Sequence, residues 1–346
     1  MKLMQTMAGG AVGGAEEFFL RLAVALDEAG VDQQIVARPN DTRNKKITAV
    51  GAHLSELPFG GWLDFKTAGA LARQIDEFAP DVVLSWMGRA SRLSGKAIYR
   101  SRAAPVLIGR LGGYYQLKYF SQCDHLIGNT PDIVRYLVDN DWPVDRAHFV
   151  PNFVTSTPGQ AFAREDLDVP VDVPLLLAAG RLHPNKAFDV LLRSMPETGD
   201  AHLMIAGGGN EEAALKAQTA ALGIEDRVRF LGWRGDIPDL LATADMLICP
   251  SRIEPLGNVV LEAWAGGVPV VAAASEGPGW LINHEQDGLL VAVEDHAGLA
   301  DAIRRLCDDR ALAANLAVAG LSRYDADFTQ EAVVRQFLEL FDRVRG

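Results

Sequence analysis

The sequence predicts an α/β protein made of two doubly wound, parallel-sheet domains. Short apolar segments typical of buried strands alternate with amphipathic helical patterns through both halves of the chain, which is the order expected for parallel sheets. A stretch with three prolines and no strand or helical pattern, residues 154–174, separates the two series as an interdomain connection. The length of 346 residues is also comfortable for two domains.

The first half opens with a strand, a glycine-rich loop, a helix and a second strand. Residues 2–7 and 34–37 have strand patterns, and residues 16–29 have helical spacing. Gly13 and Gly14 lie at the predicted helix N-terminus, where bare backbone N–H groups can hold an anion. A tight turn without a ligand is the alternative, because the glycine spacing differs from the dinucleotide-binding fingerprint.

The rest of the first half continues this alternation. A candidate strand at 47–50 and a helix at about 65–78 come next. Further buried strands are predicted at 81–86, 105–109 and 125–130. Thr130 is a candidate helix N-cap, with Pro131 at the first helical position. We place the end of the first domain at residue 152.

The second half predicts six strands and six helices, followed by a C-terminal helix. The strands are predicted at 174–179, 201–206, 228–231, 245–249, 268–273 and 288–291. The helices are predicted at about 187–194, 210–221, 236–242, 258–265, 278–283 and 296–308. The second domain therefore covers residues 153–328, and an amphipathic helix occupies the tail, 329–346.

Composition excludes several classes of protein. With 49% hydrophobic and 23% charged residues the chain is typical of soluble globular proteins, and no apolar run approaches the roughly 20 residues of a membrane span. A net charge of −12 argues against general nucleic-acid binding. The N-terminus is too short and too polar for a signal peptide, and the three cysteines are widely spaced, so we expect a cytoplasmic protein.

One basic run stands out in this acidic chain. It contains no acidic residue and five cations: Arg89, Arg92, Lys96, Arg100 and Arg102. Such a run could touch an anionic membrane or a phosphorylated acceptor. Contact with a membrane would place the protein peripherally at its inner face. A solvated helix face is the alternative.

Cations and glycines follow the first two strands of the second half. Gly180 and Arg181 come directly after the first strand, and Lys186 lies five residues beyond Arg181. Two cations that converge on one pocket suit a diphosphate, because they neutralise negative charge as it develops. Gly207 and Gly208 follow the next strand in a similar way. A solvated lysine beside a structural arginine, and a plain turn, are the alternatives.

Two acids, Glu254 and Glu262, flank the start of a predicted helix after a buried strand. The free N–H groups of Leu256, Gly257 and Asn258 near the helix start offer an anion site between them. Carboxylates suit sugar hydroxyls, so the arrangement suits a nucleotide sugar bound at the carboxyl edge of a parallel sheet. Surface acids without a ligand are the alternative.

These motifs, in this order, resemble one enzyme family along nearly the whole chain. The matching elements are the GGAE loop at 13–16, VPN at 150–152, GRLxxxK at 180–186, the glycine turn at 207–209 and Glu-(seven residues)-Glu at 254–262. The chain is similar to the retaining GT-B glycosyltransferases of the family 4, or group 1, type. The resemblance implies two Rossmann-like domains facing a central cleft.

The resemblance also implies roles for the site residues. The acid matching Glu262 binds the donor ribose, the acid matching Glu254 contacts the donor sugar, and Arg181 and Lys186 hold the diphosphate. The glycine loop of Gly13 and Gly14 closes over it, and the base lies near Trp233 and Arg234. The first domain binds the acceptor, the second domain binds the donor, and the last helix crosses back to the first domain.

The implied reaction moves a hexose from a UDP- or GDP-sugar to a hydroxyl of a glycan or lipid-linked acceptor, as in cell-envelope polysaccharide or lipopolysaccharide synthesis. Configuration is retained, and the leaving diphosphate takes the acceptor proton on the same face. No metal, cofactor or protein partner is implied, and the Asp-x-Asp matches at 139–141, 166–168 and 325–327 are assigned to the surface. A nucleotide-sugar epimerase or phosphorylase, or a non-catalytic nucleotide-sugar-binding subunit, are the alternatives.

One position departs from the family pattern. Many relatives carry a histidine just after the strand predicted at 105–109, where this chain has Arg110, Leu111, Gly112 and Gly113. The contact that this histidine makes with the donor sugar or acceptor is therefore missing or replaced.

Overall fold

The structure is a computed structural model that describes residues 1–10, 13–40, 44–45, 47–48, 53–60, 64, 66–154 and 159–346. The chain divides into two compact units. The first unit consists of Met1–Asn152 together with Gln330–Gly346, and the second consists of Phe153–Thr329. Each unit contains one parallel sheet, so the predicted α/β class with two doubly wound sheets is confirmed.

Across the described residues of the first unit, the sheet has seven strands in the order β3-β2-β1-β4-β5-β6-β7. They are β1 (Lys2–Met7), β2 (Asp32–Ala37), β3 (His53–Glu56), β4 (Val82–Trp86), β5 (Val106–Leu111), β6 (His125–Gly128) and β7 (Ala147–Phe149). All neighbouring strands pair in parallel. The order reverses between β1 and β4, which is the position where ligands bind in doubly wound folds.

In the described part of the first unit, the helices with established bounds before residue 152 are α1 (Gly14–Glu28), α2 (Lys66–Phe78), α3 (Met87–Ile98) and α4 (Pro131–Asp139). The start of α4 confirms the predicted cap. The Thr130 hydroxyl accepts a hydrogen bond of 3.2 Å from the backbone N–H of Ile133, and Pro131 occupies the first helical turn. The side chain thereby satisfies one of the N–H groups that a helix start leaves unpaired.

The sheet of the second unit has six parallel strands in the order β10-β9-β8-β11-β12-β13. They are β8 (Leu175–Ala179), β9 (His202–Ala206), β10 (Val228–Gly232), β11 (Met246–Cys249), β12 (Val270–Ala273) and β13 (Leu289–Val291). Each lies within two residues of its predicted bounds. Here the order reverses between β8 and β11, so the loops after these two strands meet at the ligand-binding edge.

The helices of the second unit are α5 (Phe188–Ser194), α6 (Glu212–Ala221), α7 (Ile237–Thr243), α8 (Asn258–Ala265), α9 (Glu276–Leu281), α10 (His296–Asp308) and α11 (Arg310–Asp327). The last helix, α12 (Gln330–Val344), belongs to the first unit. Its start is tied to α1, where the Gln330 amide donates a 2.8 Å hydrogen bond to the Glu28 carboxylate. None of the helices in the described ranges has the length and apolar run needed to cross a membrane.

Three features differ from the sequence predictions. The candidate strand at 47–50 is wrong, because Ile47 and Thr48 are helical and the strand here is β3; residues 49 and 50 lie outside the described ranges. Within the predicted interdomain connection, Val154 and Val169 are buried in the core of the second unit, so these described residues pack as part of that unit. Helix α11 was not predicted.

The packing of α11 explains why the sequence did not reveal it. Three of the five residues on its buried face are small, namely Ala313, Ala317 and Gly320, and a Cβ placed on Gly320 would lie 2.3 Å from the ring of Trp264. Close contact of backbone and ring replaces the row of large apolar side chains that normally marks an amphipathic helix.

Candidate functional site

Lys186 and Glu254 form an ion pair at the point where the strand order of the second sheet reverses. Lys186 lies in the loop after β8, Glu254 lies in the loop after β11, and the ammonium donates a hydrogen bond to Oε2 of the carboxylate. Their side chains are only 25% and 12% exposed. The structure therefore brings together two residues that are 68 positions apart in the sequence and that were both predicted to be catalytic.

The charge state of this pair follows from its surroundings. Burial lowers the pKa of Lys186, but attraction to Glu254 and the hydrogen bond between them raise it, and the net pKa is above the ordinary lysine value. Lys186 is therefore an ammonium at neutral pH. Burial raises the pKa of the neighbouring Cys249 thiol to about 11, and the negative charge of Glu254 adds to this effect, so Cys249 is a neutral thiol rather than a nucleophile.

Arg181 is the second cation predicted for this site. Its side chain is exposed, and its charge is close enough to lower the pKa of Lys186 slightly against the effect of Glu254. Within the part of the chain that the structure describes, the Arg181 guanidinium has no hydrogen bond or ion pair. Its donors are thus available to a phosphate group.

The glycines directly after β8 and β9, and the one at the end of β10, allow these three chain segments to pack backbone against backbone. Gly180 and Gly207 adopt φ of +152° and +154°, and a Cβ on Gly207 would lie 1.8 Å from the carbonyl oxygen of Gly180. Gly207 N–H donates to the carbonyl of Gly232 at 2.7 Å, and Leu182 N–H donates to that of Gly208 at 3.0 Å. Only glycine fits at 207, because any side chain would collide with the loop that carries Arg181 and Lys186.

The N-terminus of α8 has the predicted form. Gly257 is its N-cap, with φ of +86°, and the helix begins at Asn258. Among the described residues, the backbone N–H groups of Leu256 and Gly257 donate no hydrogen bond, so both can bind an anion. Asn258 and Glu262 lie one turn apart on the half-buried face of the helix.

Trp233 and Arg234 follow β10, which is separated from β11 by β9 and β8. The Trp233 side chain is 74% exposed and can offer its ring to a flat ligand. Arg234 is engaged differently: its Nε donates to Asp236 at 2.8 Å, and its guanidinium lies 5.5 Å from the ring centroid of Phe162. Of these two predicted base contacts, Trp233 has the more open side chain.

The glycine loop of the first unit holds an internal anion. The Glu16 carboxylate turns back from α1 and accepts a 2.8 Å hydrogen bond from the backbone N–H of Gly10. A Cβ on Gly13 would lie 2.4 Å from this carboxylate, whereas one on Gly14 would have no neighbour within 4 Å. Residues 11 and 12 of the loop lie outside the described ranges. The sequence prediction assigned no role to Glu16, although its position three residues after the N-cap is a known signal.

Arg110 does not replace the family histidine. Its side chain is buried, and the guanidinium donates to the Val150 carbonyl at 3.2 Å and to the Asn152 side-chain oxygen at 2.7 Å. Rings of Phe18, Trp86 and Phe337 surround it at 4.8, 5.5 and 5.1 Å. Burial lowers its pKa to about 9, so it remains a cation at neutral pH. This inward orientation makes Arg110 a structural residue.

The described residues contain no group of three or more His, Cys, Asp or Glu side chains placed to hold a metal ion. The positive charge at the reversal point in the second unit comes from Arg181 and Lys186, while the negative charge comes from Glu254 and Glu262. This arrangement can bind an anion beside hydroxyl groups. It is the chemistry that a sugar linked to a diphosphate requires.

Comparison with known proteins adds sequence relatives to this geometry. Residues 12–157 match the model of Glycosyltransferase Family 4, and residues 173–309 match that of Glycosyl transferases group 1. The chain is 36% identical to the lipopolysaccharide core biosynthesis glycosyltransferase LpsD of Rhizobium meliloti (strain 1021), over 99% of this chain and 98% of that protein. It is 34% identical to LpsE of the same strain, over 95% of each chain.

Solved structures share the fold. The crystal structure of the Anabaena protein HepE in complex with UDP superposes with a TM-score of 0.88 at 20% identity, covering 99% of this chain and 100% of that one. Its complex with UDP-glucose superposes with a TM-score of 0.84, again at 20% identity and with the same coverage. At this identity the likeness extends to the fold alone.

Proposed function

Because the chain belongs to the family 4, or group 1, glycosyltransferases, we propose that it transfers a hexose from a nucleoside-diphosphate sugar to a hydroxyl of a lipopolysaccharide-core type acceptor. The reaction retains anomeric configuration and uses no metal. The observation that carries the proposal is the juxtaposition of Lys186 with Glu254 beside the exposed guanidinium of Arg181. One end of this group suits a diphosphate and the other suits sugar hydroxyls.

The proposed donor contacts combine this geometry with the roles that the family implies. Arg181, Lys186 and the free N–H groups of Leu256 and Gly257 bind the diphosphate, while Glu254 binds the hexose. Glu262 accepts hydrogen bonds from the vicinal hydroxyls of the ribose, and Trp233 contacts the base. A UDP-hexose is the first donor to test, because HepE, which has the same fold, has been crystallised with UDP and with UDP-glucose. A GDP-sugar is the alternative.

The proposed mechanism uses the leaving group as the base. The bond from the anomeric carbon to the diphosphate oxygen breaks, and Arg181 and Lys186 stabilise the charge that develops on that oxygen. The acceptor oxygen attacks the same face, and its proton moves to the diphosphate. Glu254 is held by Lys186, which supports a role in orienting the sugar rather than attacking it.

The acceptor class is proposed from the relatives. LpsD and LpsE are both named lipopolysaccharide core biosynthesis glycosyltransferases, and the chain spans nearly their full length. The first unit is proposed to bind this acceptor. Its exposed Tyr114, whose hydroxyl donates a hydrogen bond to the Asp132 carboxylate, offers a ring that sugars can pack against.

A donor panel tests the proposal. We expect a UDP-hexose to raise the melting temperature, and Glu262→Ala to weaken its binding about 10- to 100-fold, since hydrogen bonds to a charged group contribute roughly 1.5–3 kcal/mol. Thermal shift with UDP-, GDP- and ADP-sugars measures this, and the fold should survive because alanine favours helices. The matched control is Glu212→Ala, at the exposed start of α6, which should bind as the unaltered protein does.

Three outcomes would contradict the proposal. Unchanged donor affinity in Glu262→Ala would remove the ribose assignment. Alteration of the sugar by the protein without an acceptor would favour an epimerase. Tight donor binding with no transfer to any core-type acceptor or to water would favour a non-catalytic binding subunit.

The basic run is proposed as a contact for an anionic membrane surface. Arg89, Lys96 and Arg100 are exposed on or just after α3, and the ring of Tyr99 between them is 87% exposed. Cations beside an exposed tyrosine suit the headgroup layer, where an aromatic ring with a polar tip is favoured.

Vesicle sedimentation tests this contact. Lys96→Gln with Arg100→Gln should weaken binding to vesicles with anionic lipid by at least tenfold, since each cation contributes about 1 kcal/mol near such a surface. The control is Lys216→Gln with Arg304→Gln, two exposed cations of the second unit. Equal sedimentation with neutral and anionic vesicles would remove the proposal.

A further inference from the structure

Arg252 connects the two loops that carry Lys186 and Glu254. It lies in the loop after β11, and its Nη1 donates to the carbonyl of Pro184 at 2.7 Å, in the loop after β8. The same guanidinium grips Asp189, at the start of α5, through Nη1–Oδ1 and Nη2–Oδ2 hydrogen bonds of 2.7 Å each. Such a two-pronged contact fixes the angle between the groups as well as their separation.

The backbone of the same residue makes a second connection. The N–H groups of Arg252 and Ile253 both donate to the carbonyl of Asn185, at 2.8 and 3.2 Å. Asn185 directly precedes Lys186, and Ile253 directly precedes Glu254. The ion pair is therefore one residue away from this connection on both sides.

Glu294 holds the guanidinium from a third direction. It lies between β13 and α10, accepts from Nε of Arg252 and accepts from Nη2 at 3.1 Å. Burial raises the pKa of Asp189, but its hydrogen bonds and charge attraction to Arg252 lower it to below its ordinary value, and the hydrogen bond from Arg252 also lowers the pKa of Glu294. Both carboxylates are thus ionised at neutral pH, and the network stays charged.

We propose that Arg252 is a positioning residue that sets the separation of the Lys186 ammonium and the Glu254 carboxylate at the sheet edge. Its own side chain is 27% exposed and pairs with Asp189 and Glu294. Its kinetic consequence rests on the proposed function. A misplacement of about 1 Å in a catalytic group can cost roughly 100-fold in rate, so a loosened loop would be costly even with Lys186 and Glu254 present.

The chain offers a matched control in Arg193. This residue also donates to the carboxylates of Asp189 and Glu294, at 3.3 and 3.5 Å. Within the described residues it makes no hydrogen bond to the loop after β11 or to Pro184. Removal of Arg193 therefore disturbs the same two carboxylates but leaves intact the hydrogen bonds of Arg252 that connect the loops after β8 and β11.

The test measures the coupling of the ion pair without relying on catalysis. Lys186→Met, Glu254→Gln and their combination form a double-mutant cycle in chemical unfolding, repeated in the background of Arg252→Met and of Arg193→Met. We expect the coupling to persist with Arg193→Met and to be lost with Arg252→Met. Arg252→Gln serves in place of Arg252→Met if that variant unfolds. Coupling of equal size in both backgrounds would overturn the proposal.

Kinetics separate this proposal from the proposed function. Arg252→Met should lower kcat about 100-fold with a smaller change in donor KM. Arg252→Lys should recover part of the loss in kcat, since the lysine ammonium can restore one hydrogen bond to Asp189 but not the two parallel hydrogen bonds of the guanidinium. Equal kcat in Arg252→Met and Arg193→Met would overturn the positioning role. If the coupling is lost as expected and the unaltered protein transfers no sugar, the positioning role stands and the proposed function fails.

Discussion

Lys186→Met is expected to lower kcat for sugar transfer by roughly 100- to 1,000-fold, because one of two groups that stabilise the leaving diphosphate is removed. The variant also leaves the Glu254 carboxylate, which is only 12% exposed, without its cation. With Arg181→Ala added, transfer should fall below detection. Initial rates with a UDP-hexose and a core-type acceptor measure both effects. Transfer by the double variant at the unaltered rate would refute the assignment of the diphosphate site.

Two comparisons show that the loss arises at this site. Lys216→Met removes an exposed lysine paired with Glu212, and it should leave kcat unchanged.

The pH dependence of unfolding gives a second readout. Since the folded-state pKa of Lys186 is raised, its favourable contribution is fully present below the ordinary lysine pKa of 10.5 and is lost as pH rises through the folded value. The stability difference between the unaltered protein and Lys186→Met should therefore narrow only above about pH 10.5.

Gly207→Ala is expected to destabilise the second unit by about 2–4 kcal/mol and to abolish donor binding. The residue has φ of +154°, and a new Cβ would lie 1.8 Å from the Gly180 carbonyl, so both backbone strain and a collision oppose alanine. Relief of the collision requires the loop with Arg181 and Lys186 to move. Chemical unfolding and thermal shift with UDP measure the two effects.

The neighbouring glycine supplies the control for this prediction. A Cβ on Gly208 would have no neighbour within 4 Å, and its backbone lies outside the left-handed region. Gly208→Ala should therefore change the unfolding free energy by less than about 0.5 kcal/mol. If the two alanine variants are equally stable, the close approach of the loops at Gly207 is not a constraint on the fold.

The sequence was sufficient for the sheet of the second unit because buried strands carry a strong local signal, whereas in the first unit β3 was misplaced and β7 was not predicted. Buried parallel strands are short apolar segments, and each strand of the second unit was found within two residues of its predicted bounds. The pairing of Lys186 with Glu254 was predictable for a related reason. Both follow strands whose carboxyl ends meet wherever the order of a doubly wound sheet reverses.

Other features depend on contacts that have no local signal. Helix α11 packs partly through small residues such as Gly320, so the spacing of large apolar residues that marks an amphipathic helix is weak in its sequence. The direction of Arg110, into an aromatic cage and away from any ligand, depends on Phe337, which is 227 positions distant. Arg252 finds partners 63 and 42 positions away in the chain. Composition and spacing cannot indicate which of many acids an arginine will meet.

The cage around Arg110 has a consequence for synthesis of the chain. The second unit is one continuous segment, Phe153–Thr329, whereas the first unit is completed only by Gln330–Gly346. Phe337, one wall of the cage, leaves the ribosome after the whole second unit has been made. During translation, the Arg110 guanidinium of the first unit is therefore enclosed only after the last helix, α12, has been synthesised. The unit that is synthesised first is the one whose core is closed last.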